Sequence, residues 1–273
     1  MKKSNIRRFL SMLLVLALAF ALASCGKKEE EQQEEPKDLL ATIKERGYIV
    51  IATEGGWSPW TYHDESGTLT GYDVELGKII AEKLGVEARF EETAWEAILA
   101  GVDSGRFDIA CNGVGYTKER AEKYLFSDPY LYTTAVLMVR GDNTEITCFE
   151  DLEGKVTANS VGSTYASIGE EYGAEVINVD TLGETITLLL QGRIDATINA
   201  RVSYNDYMAE HPDDDIKIVD EADVDMTCIP MKKSEDSQSL ADAINDILAE
   251  IIADGTLGAL SEKFFGADLT SIE

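Results

Sequence analysis

Between residues 48 and 265 the apolar positions fall into two alternating patterns, short unbroken runs and helical stripes. Residues 48–53 (YIVIAT) read as a buried strand. Residues 72–84 place Leu76, Ile79, Ile80 and Leu84 on one helical face, and Gly85 is a fitting stop. A strand at 87–91, a helix at 95–102 and a strand at 107–111 complete the βαβ rhythm of an α/β chain with largely parallel sheets. The rhythm restarts as strand 155–159, helix 164–172, strand 175–179, helix 181–191 ended by Gly192, strand 194–199 and helix 202–210. Extended apolar segments at 134–139 and 226–231 bracket this second unit, and the tail is helical over 236–253 and 257–265. The simplest layout is two α/β lobes: 38–134 plus 230–273 as the first, 139–225 as the second, with 134–139 and 225–231 as hinge strands.

The first 37 residues break both patterns. Lys2, Lys3, Arg7 and Arg8 open the chain, and 9–22 is an almost unbroken apolar run. The run is too short for the roughly 20 apolar residues of a spanning helix, so residues 1–24 read as a secretory signal peptide with small residues at the cut site. Leu22, Ala23, Ser24 and Cys25 resemble the lipobox of bacterial lipoproteins, which implies that Cys25 becomes the lipidated first residue of the mature chain. An ordinary signal peptide with a chance cysteine is the alternative. Residues 26–37 have no apolar side chain but Pro36 and cannot offset their ordering entropy by burial, so 25–37 is expected to tether an anchored, extracytoplasmic body.

Charge narrows the partners. The formal net charge is −27 at pH 7, and loss of a basic signal peptide makes the remainder more negative still. Such a field repels nucleic acid and anionic lipid, so membrane contact is expected only through the lipid anchor. Cys111, Cys148 and Cys228 lack CxxC spacing, and His63 and His211 sit in turn-like polar stretches, so neither zinc nor any other cofactor is expected. Cys111 reads as a small core residue. Pairing of Cys148 with Cys228 in an oxidising compartment is left open, because geometry decides it.

Several short motifs carry a resemblance. GYDVEL at 71–76, GVGYTKER at 113–120 followed by FSDPY at 126–130, GRIDA at 192–196, DGTL at 254–257 and FFG at 264–266 stand in the order and spacing of the polar amino-acid binding proteins of ABC importers. The resemblance runs from about residue 38 to 270, and Glu54, Gly55 and the GAD run at 266–268 resemble the cystine-binding branch. It implies a two-lobed flytrap of the type II periplasmic-binding-protein fold, closing on a polar amino acid and acting as a monomer with an ABC permease and its ATPase.

The chemistry of such a site is independent of the resemblance. A zwitterionic amino acid needs a cation for its carboxylate, acceptors for its ammonium and a dry wall for its side chain. Arg120 is the candidate cation, because guanidinium grips a carboxylate with two parallel bonds, and Thr117 caps the helix that carries it. Ser163 and Thr164 open a helix whose free N–H groups suit an anion, although N-capping alone explains Ser163 as well. The resemblance puts Glu54 and backbone carbonyls near Gly113 at the ammonium. It places Trp57, Trp60 and Trp95 near the cleft as an aromatic box, with Tyr116 as a weaker member, although core packing is the plainer reading of any one indole.

Two positions depart from the family pattern. Gly115 stands where a threonine hydroxyl often touches the carboxylate, and Ala200 where an aspartate often holds the ammonium. Three readings stay open: Asn199 as a neutral acceptor, Glu54 as the charge partner, or a ligand without a standard α-amino group. A ligand-binding component of a sensor and a dehydratase-like enzyme on the same fold are the alternatives in function. The chain shows no Ser/His/Asp order or nucleophile elbow, so it is not expected to be an enzyme.

Overall fold

The computed structural model describes residues 38–272. The expected signal peptide at 1–24, the lipidation at Cys25 and the tether over 25–37 lie outside the described residues. Among the described residues no helix is long and apolar enough to cross a membrane.

The elements run α1 (Leu39–Arg46), β1 (Tyr48–Thr53), β2 (Gly56–Trp57), β3 (Thr61–His63), β4 (Leu69–Thr70), α2 (Tyr72–Leu84), β5 (Glu87–Glu92), α3 (Trp95–Asp103), β6 (Ile109–Ala110), α4 (Lys118–Lys123), β7 (Tyr124–Phe126) and β8 (Leu131–Arg140). After a 3₁₀ turn at Phe149–Leu152 come β9 (Val156–Asn159), α5 (Thr164–Glu171), β10 (Glu175–Asn178), α6 (Leu182–Leu190), β11 (Thr197–Ala200), α7 (Arg201–Glu210), β12 (Ile216–Thr227), β13 (Pro230–Lys232), α8 (Gln238–Ala253) and α9 (Thr256–Phe265).

The first lobe is built on a sheet of order β5-β1-β6-β13-β7, with β1 parallel to β5 and β6 and with β13 antiparallel to β6 and β7. The apolar run of β1 is unbroken because both faces of the sheet are covered. Ile49 and Ile51 pack with Leu76 and Ile80 of α2 and Ile244, Leu248 and Leu257 of the C-terminal helices, while Val50 and Ala52 pack with Ile98 and Val102 of α3. The second lobe repeats the device on β8. Ala135, Leu137 and Val139 face one core with Phe149 and Ile198, and Val136 and Met138 face another with Ile186, Leu189 and Ile194. Here β11-β8-β12 is antiparallel, β9 and β10 are parallel, and a parallel bridge from Thr157 to Ala196 joins the two groups.

Strands β8 and β12 cross between the lobes. Leu131, at the start of β8, belongs to the first lobe's core, and Leu137 to the second's. β12 pairs with β8 from Ile216 opposite Arg140 to Thr227 opposite Leu131. Two expectations change. The sheets are mixed rather than largely parallel, because β13 runs antiparallel to its neighbours in the first lobe and β8 runs antiparallel to β11 and β12 in the second. Residues 225–231 are not one hinge strand. β12 ends at Thr227, Ile229 N donates to Ser127 Oγ at 2.9 Å, and β13 joins the first lobe's sheet. Cys111, Cys148 and Cys228 are all free, so Cys148 and Cys228 do not pair.

Candidate ligand-binding site

Ligands of α/β sheets bind beyond the carboxyl ends of parallel strands, and both lobes place those ends at one cleft. Glu54 follows β1, Thr93 follows β5, Asn159 closes β9, and Asp180 lies just past β10. All four line a cavity of about 380 Å³, at the small end of the usual range for ligand pockets.

Arg120 lines the cavity from the first lobe. Thr117 caps α4, its Oγ1 accepting from Arg120 N at 3.1 Å. The guanidinium donates from Nη1 to Gly115 O at 2.7 Å and from Nη2 to Gly162 O at 2.9 Å, so it touches both lobes. It lies 5.4 Å over the Trp95 ring, which adds a cation–π contact. Among the described residues lining the cavity, Arg120 is the one cationic side chain.

Behind Arg120 sits Asp225, which the sequence reading did not single out. Asp225 Oδ2 lies only 2.6 Å from where a Cβ on Gly115 would be, so the absence of a side chain at Gly115 is what makes room for this carboxylate. Burial pushes the Asp225 carboxyl up to about 6, with the Arg120 charge pulling the other way. Burial lowers the Arg120 pKa, and Asp225 opposes that shift.

The opposite wall is acidic. Glu54 accepts from Asn112 Nδ2 at 2.6 Å, and its carboxyl is raised by burial, against that bond, with the negative charges of Asp180 and Glu96 adding to the rise. Glu92 and Asp180 also line the cavity. Trp57 forms the apolar floor, with Tyr165 edge-on to it at 6.4 Å between centroids. Gly113 carries a φ of +57°, and a Cβ there would meet the Trp57 ring at 2.7 Å, so only glycine lets this loop approach the indole. Gly113 N donates to Asp73 Oδ2, a short bond that anchors the loop to α2.

Eight of the ten expected site residues reach the cavity: Glu54, Trp57, Trp95, Gly113, Arg120, Ser163, Thr164 and Asn199. Two do not. Trp60 is a core residue, 1% exposed, stacked beneath Trp57 at 5.1 Å and packed against Tyr72 and Phe265, with Nε1 donating to Ser203 Oγ at 3.2 Å. Its part is to support Trp57 from below. Tyr116 is 36% exposed and faces away, its ring edge-on to Phe126 and its N–H held by Met226 O at 2.7 Å. Ser163 is an N-cap in fact, with Oγ accepting from Ala166 N at 3.1 Å, and it lines the cavity as well. Asn159, Tyr165, Asp180 and Thr181 were missed. For Asn159 a signal existed, since it is the last residue of the strand read at 155–159 and strand ends are where such sites form.

A family model for bacterial extracellular solute-binding proteins, family 3, matches residues 49–267. The chain is 36% identical to a probable amino-acid ABC transporter-binding protein of Haemophilus influenzae, over 96% of this chain and 98% of that one. It is equally 36% identical to the L-cystine-binding protein TcyA of Bacillus subtilis, over 97% and 99%. Among solved structures, an ancestral arginine-binding protein bound to arginine superposes with a TM-score of 0.75 at 32% identity, covering 81% of this chain and 99% of that one.

Proposed function

The chain belongs to the bacterial extracellular solute-binding proteins of family 3, and on that footing we propose that it is the lipid-anchored, substrate-binding component of an amino-acid ABC importer, with cystine as its substrate. The observation that carries the reading is Arg120, the one cation among the described residues of the cavity wall, held beside the N-terminus of α5 at Ser163 and Thr164. Guanidinium and free helix N–H groups together make a carboxylate grip. Cystine is an amino-acid head at each end of a disulfide. Trp57, Trp95 and Tyr165 offer an apolar wall for its middle, and Glu54, Glu92 and Asp180 offer acceptors for a second ammonium. The near full-length likeness to a cystine-binding relative supports the same choice. In this reading Cys25 carries the anchor, a permease and its ATPase receive the ligand unchanged, and the lobes close about β8 and β12. The ligand favours closure only through contacts it gains in the closed arrangement, where Arg120 meets Gly162.

One observation favours a second substrate. The cavity wall holds three carboxylates, Glu54, Glu92 and Asp180, against the single Arg120, an excess that suits arginine. A thermal-shift panel of the common amino acids plus L-cystine separates the two. A ligand at about 100 times its Kd adds about 2.7 kcal/mol of stability. The expected result is the largest shift with cystine, lost when a reductant converts it to cysteine. A larger shift with arginine would replace cystine by arginine, and no shift with any amino acid would remove the reading altogether.

The acidic wall has its own expected effect. Glu54 and Asp180 come from different lobes, so closure sets like charges against each other unless the ligand places a cation between them. Glu54→Gln is expected to weaken binding of the preferred amino acid about tenfold, about 1.4 kcal/mol. It should also raise the closed population without ligand, read as a smaller radius of gyration in solution scattering. Unchanged affinity and unchanged scattering would take Glu54 out of the site.

A further inference from the structure

We infer that Asn159 binds the ammonium group of the captured amino acid, its Oδ1 supplying the acceptor that Ala200 does not. The inference rests on the amino-acid reading above and extends it to a residue that the sequence motifs did not mark. Asn159 closes β9, is 4% exposed and lines the cavity. Its Nδ2 donates to Ile198 O at 2.7 Å. A carbonyl oxygen only accepts, so this bond fixes which end of the amide is which. Oδ1 therefore points away from that carbonyl, and it is buried without a hydrogen-bond partner among the described residues. Buried polar atoms are nearly always paired, so an orphaned acceptor on a residue that lines the cavity is an observation that calls for a donor.

The neighbours do not fill the part. Ala200 is fully buried, and its methyl group has no acceptor to offer. Asn199 lines the cavity, but its Oδ1 already accepts from Ala200 N at 2.9 Å. Glu54 lies on the other lobe's wall, engaged by Asn112. Asn159 also has the right company. Only residues 160–162 separate it from Ser163, the cap of α5, so an acceptor and an anion-binding helix start share one loop. A head group with ammonium and carboxylate on the same carbon matches that pairing. Asparagine suits the position better than an acid does. Aspartate would set a negative charge against the Ile198 carbonyl, whereas the amide stitches β9 to β11 with one end and presents an acceptor with the other.

Calorimetric titration with matched probes tests this: L-cystine against dithiodipropionate, which is cystine without its amino groups, and L-arginine against guanidinovalerate. Wild type is expected to prefer the amino acid it binds over the deaminated analogue. Asn159→Ala should shrink that preference about ten- to a hundredfold, as for a bond to a charged donor, and cost the analogue far less than the amino acid, the analogue's loss reading the bond to Ile198 alone. Asn159→Asp, which keeps an acceptor but loses the donor to Ile198, should retain the preference. An equal loss for amino acid and analogue in Asn159→Ala, or loss of the preference in Asn159→Asp, would make Asn159 purely structural and overturn the inference. Should Asn159→Ala fail to fold, Asn159→Asp decides alone. Wild type binding no amino acid sinks the proposed function itself, whereas wild type binding both members of a pair equally sinks only the role of Asn159.

Discussion

Replacing Arg120 with alanine is expected to weaken amino-acid binding by about 3–5 kcal/mol, roughly a hundred- to several-thousandfold, in a calorimetric titration. The magnitude follows from what the ligand carboxylate would then face. The cavity wall would keep Glu54, Glu92 and Asp180 and lose its cation, and Asp225 behind it would lose the charge that partly offsets its burial. The substitution also removes the bonds to Gly115 O and Gly162 O, the second of which joins the lobes, so closure is penalised along with the ligand contact. Arg120→Lys should recover only part of the loss. An ammonium is a point donor that cannot hold a carboxylate and two backbone carbonyls in one plane, and it loses the guanidinium's contact with the Trp95 ring. Affinity unchanged in Arg120→Ala would place the carboxylate elsewhere and withdraw the proposed grip.

The parts of this molecule that were legible in sequence are those fixed by local rules. α2 at Tyr72–Leu84 is where its apolar stripe and Gly85 put it, with the glycine at φ +76° capping the helix end. β1 lies where its unbroken apolar run puts it, as a strand covered on both faces should, whereas β5 is an edge strand legible only through Ala88 and Phe90 alternating with charged residues. β12 was read only at its last residues. Along it Asp220, Glu221, Asp223 and Asp225 interrupt the apolar residues, and shifts in register between Ile218 and Asp220 and between Glu221 and Val224 break the alternation a strand should show. Each shift changes which side chains face the core, so no single period fits the segment.

The site divides the same way. Arg120, Thr117, Ser163 and Thr164 sit at helix starts, whose chemistry is local and readable. Trp57 ends β2 and Trp60 lies in the turn three positions on, and what separates floor from support is Tyr72 and Phe265, brought in from further along the chain. Gly115 looked like a lost carboxylate contact. It is instead the space that Asp225 occupies, a pairing across more than a hundred positions that one sequence does not display.

The largest expected effect on stability lies one layer beneath the site, at Asp73. This carboxyl is fully buried in the first turn of α2, with Oδ2 accepting from Gly113 N and Oδ1 from the Tyr130 hydroxyl at 2.8 Å. Asp73→Ala orphans the buried Tyr130 hydroxyl and the part-buried Gly113 N–H, at about 1–3 kcal/mol each, so a loss of about 2–6 kcal/mol is expected in ligand-free urea unfolding. A loss below about 1 kcal/mol would show that the two donors find other partners. Burial pushes the Asp73 carboxyl up to about 7 from an ordinary 3.8, against the bonds from Gly113 and Tyr130. The native state therefore holds this proton more tightly than the unfolded chain does. Its contribution to stability is fully present below pH 3.8 and is lost as pH rises through about 7. Asp73→Asn has no such titration. Its carbonyl can still accept from Gly113 while its amide donates to the Tyr130 oxygen, so its stability relative to wild type should improve steadily between pH 4 and pH 8 and change little beyond. A pH-independent difference between the two would mean that Asp73 does not titrate on folding. The same pair of variants separates stability from binding. Gly113 lines the cavity against Trp57, so Asp73→Ala should loosen the loop and weaken the ligand, whereas Asp73→Asn should hold both in place.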